Sequence, residues 1–205
     1  MPPTPGPSPV DAPPSAAPRT GFAIAVPDAL LARARAGERA AFEQLCRAFE
    51  RPVYTLALRL TGDRELASEA LQETMLKLVA RVREFRGDGG SPFWGWLRQI
   101  AVNEALMQLR RGRRFALELV VDDDGLGEDP APPPAAAADA ARLQRALAEL
   151  PALTRSVLWL YHGEGYTHEE IAALMQRTAS FSKSQLARGT RRLRVLLHVE
   201  DPIHA

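Results

Sequence analysis

Apolar residues recur at intervals of three and four positions along most of this chain, which is the spacing of one face of an α-helix. The pattern predicts a first helical stretch that ends near Phe49 and a separate helix that begins at Val53, after Pro52 resets the chain. It predicts two more helices, over 63–82 and 93–113. Because no segment supports a strand within a sheet, the expected fold class is all-α.

The C-terminal part of the chain shows the same helical periodicity. Helices are predicted over 141–149 and 152–162. Thr167 lies three residues before a glutamate, which is the spacing of a capping box and opens a short helix through Met175. A turn at 176–178 separates that helix from a second, basic one. Two helices joined by a short turn are typical of a helix-turn-helix, with an ordinary helical hairpin as the alternative.

Two segments lack this periodicity. Residues 1–27 hold nine of the 17 prolines, which predicts a disordered tail. Acidic residues, glycines and three successive prolines exclude a helix through most of 118–138, which predicts a flexible acidic linker. We therefore expect two small helical domains joined by that linker. The full division is a tail over 1–27, a helical domain over 28–114, the linker over 115–140, a helix-turn-helix domain over 141–198 and a short tail over 199–205.

The formal net charge of +1 conceals an uneven distribution of charge. Residues 28–114 carry 16 bases against 11 acids, and residues 142–205 carry nine bases against six acids. Residues 115–141 carry seven acids and no base. Two basic blocks separated by an acidic strip are compatible with a nucleic-acid partner, which the total charge alone does not suggest.

The sequence contains no motif for catalysis, cofactor binding or metal binding. The one cysteine, Cys46, excludes an internal disulfide framework and a cysteine-based zinc cluster. The four histidines lack metal-ligand spacing, and no Gly-rich phosphate loop, G-x-S-x-G elbow or catalytic carboxylate pair occurs. We therefore expect no enzyme, no cofactor and no small-molecule substrate. No run of 18 apolar residues is present to span a bilayer.

One motif combines aromatic and cationic residues, SPFWGWLRQIAVNEALMQLRRGRR over 91–114. Bases of melted DNA stack on aromatic faces while cations contact the phosphates, so this composition favours single-stranded DNA binding. Trp96 shares the helical face of Ile100, which favours core packing for Trp96. Trp94 lies on the other face and is the better candidate for stacking. The alternative is that the aromatic residues are core and the arginines solvate a helix end.

Two helix faces are candidates for contact with a macromolecule. Glutamate and glutamine side chains share one face after Asp63, which a partner protein can read and which a solvated surface explains equally well. Residues 177–198 carry six cations and no acid, which favours an anionic partner over a plain basic surface. The residues expected to contact base edges are Ser180, Phe181, Lys183, Ser184 and Gln185. The residues expected to contact phosphates are Arg188, Arg191 and Arg192.

In this order the motifs resemble a bacterial RNA polymerase sigma factor of the extracytoplasmic-function group, group 4 of that family. ASEALQETMLKLVARV resembles region 2.2, FWGWLRQIAVNEALMQLRRGRR resembles regions 2.3 and 2.4, and the stretch from LPALTRS to TRRLR resembles region 4. The resemblance covers about 28–114 and 141–197. It implies a protein that binds core polymerase, recognises promoters and melts the −10 element, while the polymerase performs the chemistry.

The resemblance also implies residue roles and partners. Core polymerase, at the β′ clamp helices, would be bound by Glu65, Glu69, Gln72, Glu73 and Lys77. The −10 element would be contacted by Trp94, Trp96, Arg98, Asn103, Arg110 and Arg111. The loop from Arg86 to Pro92 would shape a pocket for a flipped base, and the helix-turn-helix would read the −35 element. The other implied partners are the polymerase β flap and an anti-sigma factor, in a cytoplasmic, nucleoid-associated protein that an anti-sigma factor can hold at the membrane.

The chain departs from the family pattern at four positions. Met107 stands in place of an aspartate, Gln176 in place of a turn glycine and Ser182 in place of an apolar residue that packs, while Gly189 interrupts the recognition helix. The last three changes bear on −35 recognition. Two other functions therefore stay open, a stand-alone helix-turn-helix regulator and a helical adaptor that mimics a sigma factor.

Overall fold

The structure of the chain, a computed structural model, describes residues 24–85, 93–118 and 135–197. Within these ranges it contains eight α-helices and no strand, which confirms the all-α fold class. The helices are α1 (Asp28–Arg35), α2 (Arg39–Thr61), α3 (Arg64–Arg81), α4 (Phe93–Glu118), α5 (Ala135–Ala148), α6 (Ala152–Leu158), α7 (His168–Met175) and α8 (Ala179–Leu196). The predicted C-terminal tail, most of the N-terminal tail and most of the linker lie outside the described residues.

Side chains that are visible in the sequence as helix caps begin three of the helices. The Asp63 carboxylate accepts a backbone N–H from the first turn of α3. Thr167 and Glu170 form the predicted capping box at the start of α7. Thr178 accepts a backbone N–H from the first turn of α8. The predicted turn over 176–178, between α7 and α8, is therefore confirmed.

Helix α2 continues through Pro52, so the prediction of a break at that residue is wrong. A proline inside a helix costs about 3 kcal/mol, because a hydrogen bond is lost and the ring crowds the preceding turn. Side chains on both sides of the proline share one buried face, and each is at most 4% exposed: Leu45, Phe49, Val53, Leu56 and Leu60. Burial of each such side chain contributes about 1.5–3 kcal/mol, so the continuous buried face outweighs the cost of the proline.

Three other helix ends differ from the prediction. Helix α4 extends to Glu118, beyond the expected end at Arg113. Helix α5 begins at Ala135, inside the predicted linker. Its first four residues are all alanine, which has the highest helix propensity of any residue. Helix α6 ends at Leu158, and the chain continues as a π-helical turn over Trp159–Gly163 rather than as one helix to residue 162.

The helices form two groups, α1–α4 and α5–α8, whose buried faces meet in one hydrophobic core. The larger part of that core belongs to α1–α4. Five buried side chains from the C-terminal group join it: Val157, Leu160, Tyr166, Ile171 and Met175. The two predicted helical domains therefore pack directly against each other in this structure.

Polar contacts between α6 and the end of α2 fix the two groups together. The Ser156 hydroxyl donates to the Leu60 carbonyl at 2.8 Å. The buried Arg155 guanidinium donates to the Thr61 carbonyl and to two carbonyls at the end of α5, both at 3.3 Å. Burial lowers the pKa of Arg155. The absence of a side chain at Gly62 leaves room for the Arg155 guanidinium, since a Cβ there would lie 2.0 Å from Arg155 Nη2. The φ of +68° at Gly62 also favours glycine.

Candidate nucleic-acid and protein interfaces

The aromatic cluster at the start of α4 is part of the core. Trp94 is 8% exposed and stacks on Phe49, with ring centroids 5.6 Å apart. The prediction that Trp94 faces away from the core is therefore wrong, because α2 covers that side of α4 as well. Trp96 is partly buried and lies 5.5 Å from the rings of Phe85 and Phe93. In this conformation the Trp94 indole is covered, and Trp96 is only partly accessible.

Arg98 lies at the interface between the two helix groups. Its guanidinium pairs with the Glu164 carboxylate at 2.6 Å, and the side chains are 3% and 11% exposed. The second Glu164 oxygen accepts from the indole N–H of Trp159 at 3.0 Å, which orients the carboxylate. The guanidinium also lies 5.3 Å from the centroid of the Tyr166 ring. Arg98, predicted to contact DNA, is thus buried in this structure, and its Nη1 donates to both the carboxylate and the backbone carbonyl of Glu164.

Two of the remaining −10 candidates, Asn103 and Arg110, lie on one outward face of α4 together with Gln99 and Met107, at intervals of three and four residues. We call the partly buried residues Gln99, Asn103, Met107 and Arg110 the α4 face. Tyr166 donates its hydroxyl hydrogen to Gln99 Oε1 at 2.9 Å, and Arg110 donates to the Leu174 carbonyl at 3.2 Å. Burial raises the pKa of the Tyr166 phenol. Arg111 is exposed. The helix-turn-helix domain therefore covers both ends of the α4 face.

Helix α3 presents three of the predicted polymerase-binding residues to solvent, Glu65, Glu69 and Gln72. Glu73 is partly buried. Lys77 is held by an ion pair to Glu104 of α4 at 2.5 Å, in which the Glu104 side chain is only 4% exposed. The structure thus brings the acidic and amide residues together on one face, whereas Lys77 mainly connects α3 to α4.

Two apolar residues on α3 were not among the predicted contacts. Leu76 is 58% exposed and Val79 is 50% exposed. Both lie outside the buried stripe of α3. Because the helical spacing of that stripe is visible in the sequence, the exposure of these two residues could have been predicted from it. Together with the exposed acids they give α3 a mixed acidic and apolar surface, which is typical of a protein-binding patch.

Helix α8 presents most of its predicted DNA contacts. Six are exposed: Ser180, Lys183, Ser184, Arg188, Arg191 and Arg192. Two are turned partly inward. Gln185 accepts a hydrogen bond from Thr154 of α6 at 2.7 Å, and Phe181 is partly buried with the Arg177 guanidinium 5.8 Å from its ring centroid. The exposed surface of α8 is therefore basic and polar, as the sequence predicts.

The departures in the helix-turn-helix have structural explanations. Gln176 adopts φ +54°, the left-handed conformation that favours glycine, so the expected backbone cost is present. Ser182 is fully buried, and its hydroxyl lies 2.9 Å from Nδ1 of His168, so a polar pair replaces apolar packing between α7 and α8. At Gly189, a Cβ would lie 2.5 Å from a methyl carbon of Leu158, so α6 and α8 approach closely because the side chain is absent.

Among the described residues, no group of three or more histidine, cysteine, aspartate or glutamate side chains could hold a metal ion. In the same ranges, no helix has the length and apolar character needed to cross a membrane. The predicted base-flipping loop, from Arg86 to Pro92, lies outside the described residues.

Comparison with known families identifies both helix groups. Sigma-70 region 2 matches residues 45–115, and sigma-70 region 4 matches residues 140–193. RNA polymerase sigma-H factor of Pseudomonas aeruginosa is 30% identical over 170 residues, covering 78% of this chain and 87% of that protein. ECF RNA polymerase sigma factor SigM of Mycobacterium tuberculosis is 33% identical over 168 residues, covering 82% of this chain and 83% of that protein.

A solved structure has a similar fold. The sigma factor RpoE from Bartonella quintana, in complex with the anti-sigma factor NepR, matches with a TM-score of 0.56 and 26% identity. The match covers 78% of this chain and 98% of that chain. A stand-alone helix-turn-helix regulator requires no region 2, so the matches to both regions oppose that alternative.

Proposed function

This chain belongs to the extracytoplasmic-function RNA polymerase sigma factors. We propose that it is a group 4 member with a separate helix surface for each of three contacts, with core polymerase, with the −10 element and with the −35 element. As a sigma factor it binds core RNA polymerase and promoter DNA to initiate transcription. Helix α3 binds the polymerase, α4 engages the −10 element and α8 engages the −35 element. The polymerase supplies the chemistry, so the sigma factor itself is not an enzyme.

The polymerase surface is the exposed side of α3. Glu65, Glu69 and Gln72 supply charge and hydrogen-bonding groups, while Leu76 and Val79 supply apolar area at the same helix. Interfaces of this kind take their affinity from buried apolar contacts and their orientation from charge complementarity. The partner is the β′ clamp helices of the polymerase. The observation that supports this assignment most directly is the exposed acidic and apolar face of α3, which lies within the residues that match sigma-70 region 2.

The −10 surface is the α4 face with its neighbouring arginines. Asn103 supplies an amide that can recognise a base, and Arg110 and Arg111 supply charges that contact phosphates. Arg98 adds a further cation once its internal ion pair opens. Trp94 and Trp96 contribute by supporting this helix from the core side, and they meet bases only if α4 moves away from α2.

The −35 surface is the exposed side of α8. Ser180, Lys183 and Ser184 lie in the first turns of the helix, where recognition helices meet base edges. Arg191 and Arg192 lie further along and contact phosphates. Phe181 and Gln185 act from partly buried positions, and the His168–Ser182 pair holds α7 and α8 in their relative orientation. Region 4 also contacts the polymerase β flap.

The other elements of the proposal concern regulation. The acidic segment over 115–140 passes through the polymerase channel that RNA later occupies, because its negative charge suits a basic wall. An anti-sigma factor controls the chain, which is supported by the similarity to a sigma factor in complex with one. The site of action is the cytoplasm, at the nucleoid, with membrane retention when the inhibitor is membrane-bound.

Charge-reversal variants test the polymerase surface. Glu69→Lys should weaken binding to core polymerase about tenfold, because an exposed interfacial charge is inverted. The matched control is Glu50→Lys, at another exposed glutamate, on α2, and this variant should bind like the wild type. Affinity is measured by competition for fluorescently labelled core. Equal affinity of the two variants would contradict the assignment of α3.

The DNA surfaces are tested in reconstituted holoenzyme. Arg111→Ala should slow opening of the −10 element, while Arg51→Ala, an exposed arginine on α2, should not. Strand opening is followed by permanganate reactivity of unpaired thymines, on promoters identified by run-off transcription of genomic fragments. If a chain carrying both Arg98→Ala and Arg110→Ala still forms open complexes at the normal rate, the adaptor hypothesis is favoured over direct DNA engagement.

A further inference from the structure

An ion pair joins the polymerase-binding helix α3 to the DNA-binding helix α4. Lys77 Nζ of α3 lies 2.5 Å from Glu104 Oε1 of α4. The Lys77 side chain is 39% exposed, whereas the Glu104 side chain is 4% exposed. In the part of the chain that the structure describes, no other ion pair connects these two helices. A partly exposed cation is therefore held on a buried carboxylate.

The Glu104 carboxylate depends on Lys77 for its burial. Its other oxygen, Oε2, is buried and has no hydrogen-bond partner among the described residues. A buried carboxylate without a partner carries a large desolvation penalty, whereas an exposed ion pair gains little. Transfer of Lys77 to an acidic group on the polymerase would therefore lose more free energy at Glu104 than it gains at the new contact. This balance favours Lys77 staying with Glu104 when α3 docks.

Two contacts show how α3 and α4 are aligned. Leu66, near the start of α3, lies next to Gly112, where a Cβ would be 3.8 Å from a methyl carbon of Leu66. Lys77, near the end of α3, meets Glu104, which lies about two turns before Gly112 in α4. The two helices are therefore antiparallel. The apolar contact is non-directional, whereas the ion pair fixes particular atoms of the two helices against each other.

The ion pair lies beside the residues that face the −10 strand in the proposed function. Glu104 directly follows Asn103 of the α4 face, and Met107 lies about one turn further on. Successive side chains on a helix are about 100° apart around its axis, so anchoring the Glu104 carboxylate on α3 also sets the direction of Asn103. A rotation of α4 that broke the ion pair would move Asn103 and Met107 together.

We propose that Lys77 and Glu104 are positioning residues for promoter opening: their ion pair sets α4 on α3, so that polymerase bound to α3 places the α4 face on the −10 strand. This inference rests on the proposed roles of α3 and α4. Lys77 acts through Glu104 and does not itself contact the polymerase. Core binding and promoter opening then depend on different residues of one helix, Glu69 for the first and Lys77 for the second.

The test compares variants of the full-length chain that remove one or both charges. Lys77→Met keeps the apolar stem and leaves the buried Glu104 unpaired, and Lys77→Gln is the milder substitute if that variant does not fold. Glu104→Gln removes the buried charge, and the double variant removes both charges. Lys77→Arg retains a cation. The control is Arg47→Met, which removes an exposed cation paired with Glu43 on α2. Circular dichroism and urea titration check that each variant is folded.

Two readouts are taken on each variant. Competition for fluorescently labelled core gives the polymerase affinity, and permanganate reactivity gives the rate of promoter opening by holoenzyme formed at a saturating concentration of the chain. All variants should bind core within about twofold of the wild type. Lys77→Met should slow opening about tenfold. Glu104→Gln and the double variant should open within about threefold of the wild type, because no unpaired buried charge remains. Lys77→Arg and Arg47→Met should match the wild type.

The difference between the two readouts separates positioning from a merely structural role. A variant that only lowers the stability of the chain reduces the fraction of folded molecules, so its core binding and promoter opening fall together. A positioning defect slows opening while core affinity is retained. Restoration of opening when Glu104→Gln is added to Lys77→Met identifies Glu104 as the group through which Lys77 acts.

Three results would overturn the proposal. One is a core affinity of Lys77→Met that falls as much as its opening rate, because Lys77 would then contact the polymerase directly. Another is a normal opening rate in both Lys77→Met and Lys77→Gln. The third is a double variant that opens as slowly as Lys77→Met alone. Normal core binding by Glu69→Lys, or a wild-type chain that binds no core, would instead refute the proposed function.

Discussion

Gly189 lies in the middle of α8, where helix propensity and packing predict opposite effects of adding a methyl group. Replacement by alanine should stabilise a solvent-exposed helix by about 1 kcal/mol. At Gly189, however, the new Cβ would lie 2.5 Å from a methyl carbon of Leu158 and 2.7 Å from that of Thr154. Both side chains are buried, and Thr154 is held by its hydrogen bond to Gln185, so clearance requires α6 to move away from α8.

Overpacking costs about 1–3 kcal/mol, and approaches of 2.5 and 2.7 Å to two buried side chains place this position in the upper part of that range, at about 2–3 kcal/mol, so packing outweighs propensity. We expect Gly189→Ala to lower the free energy of unfolding by about 1–2 kcal/mol in urea titration. For a chain of this length, that corresponds to a melting temperature about 2–8 °C lower. Calorimetry measures the second value independently.

Gly112 is the matched control, because it also lies within a helix but has space around it. A Cβ there would lie 3.8 Å from Leu66, which is ordinary van der Waals contact. Gly112→Ala should therefore raise stability by about 0.5–1 kcal/mol. If Gly189→Ala stabilised the chain as Gly112→Ala does, the close packing of α6 on α8 would be refuted.

Three further predictions concern stability. Gln176→Gly should raise the urea midpoint, by about 0.5–1 kcal/mol in unfolding free energy, because it relieves the left-handed backbone at φ +54°; an unchanged or lower midpoint would contradict this. Ser156→Ala should lower stability by about 1–2 kcal/mol, because the Leu60 carbonyl loses its interdomain donor, whereas Ser180→Ala, at an exposed position, should stay within about 0.5 kcal/mol of the wild type. Because burial raises the pKa of Tyr166 in the folded state, its phenol favours folding below pH 10 and that contribution is lost as the pH rises further. In urea titrations above pH 10, the unfolding free energy of Tyr166→Phe should therefore fall less steeply with pH than that of the wild type. An identical pH dependence of the two chains would refute the burial argument.

The local elements of the fold could be predicted from sequence because they depend on neighbouring residues. Asp63 and Thr167 are capping residues whose chemistry acts within one turn, so they fix where α3 and α7 begin. The turn after Met175 follows from the same local information. The candidate surfaces on α3 and α8 were predicted for the same reason, since helical spacing alone decides which side chains share a face.

The remaining features depend on contacts that are distant in the sequence. Pro52 was expected to end a helix, and only the buried face shared across it explains why α2 continues. Trp94 was placed on an outward face, but α2 packs against that side of α4 as well. The partner of Arg98 lies 66 residues away, and no local pattern connects it to Glu164. Such pairings follow from tertiary packing rather than from periodicity or capping.

The structure also changes the interpretation of the unusual helix-turn-helix. Ser182 pairs with His168, and Gly189 permits close packing of α6, so both substitutions fit this particular core. Neither residue removes an exposed cation from α8. The departures from the family pattern therefore alter how the recognition helix is supported, while its basic surface is retained.

Transcription reconstituted from purified components tests the central claim most directly. The chain is mixed with core RNA polymerase and genomic fragments of the source bacterium, and new RNA 5′ ends are sequenced. We predict start sites that require the chain and share sequence elements near −10 and −35. At limiting concentrations of the chain, their use should fall about tenfold with the polymerase-surface variant Glu69→Lys and stay unchanged with Glu50→Lys. A chain that binds no core polymerase, or that adds no start sites to those of core alone, would contradict the account.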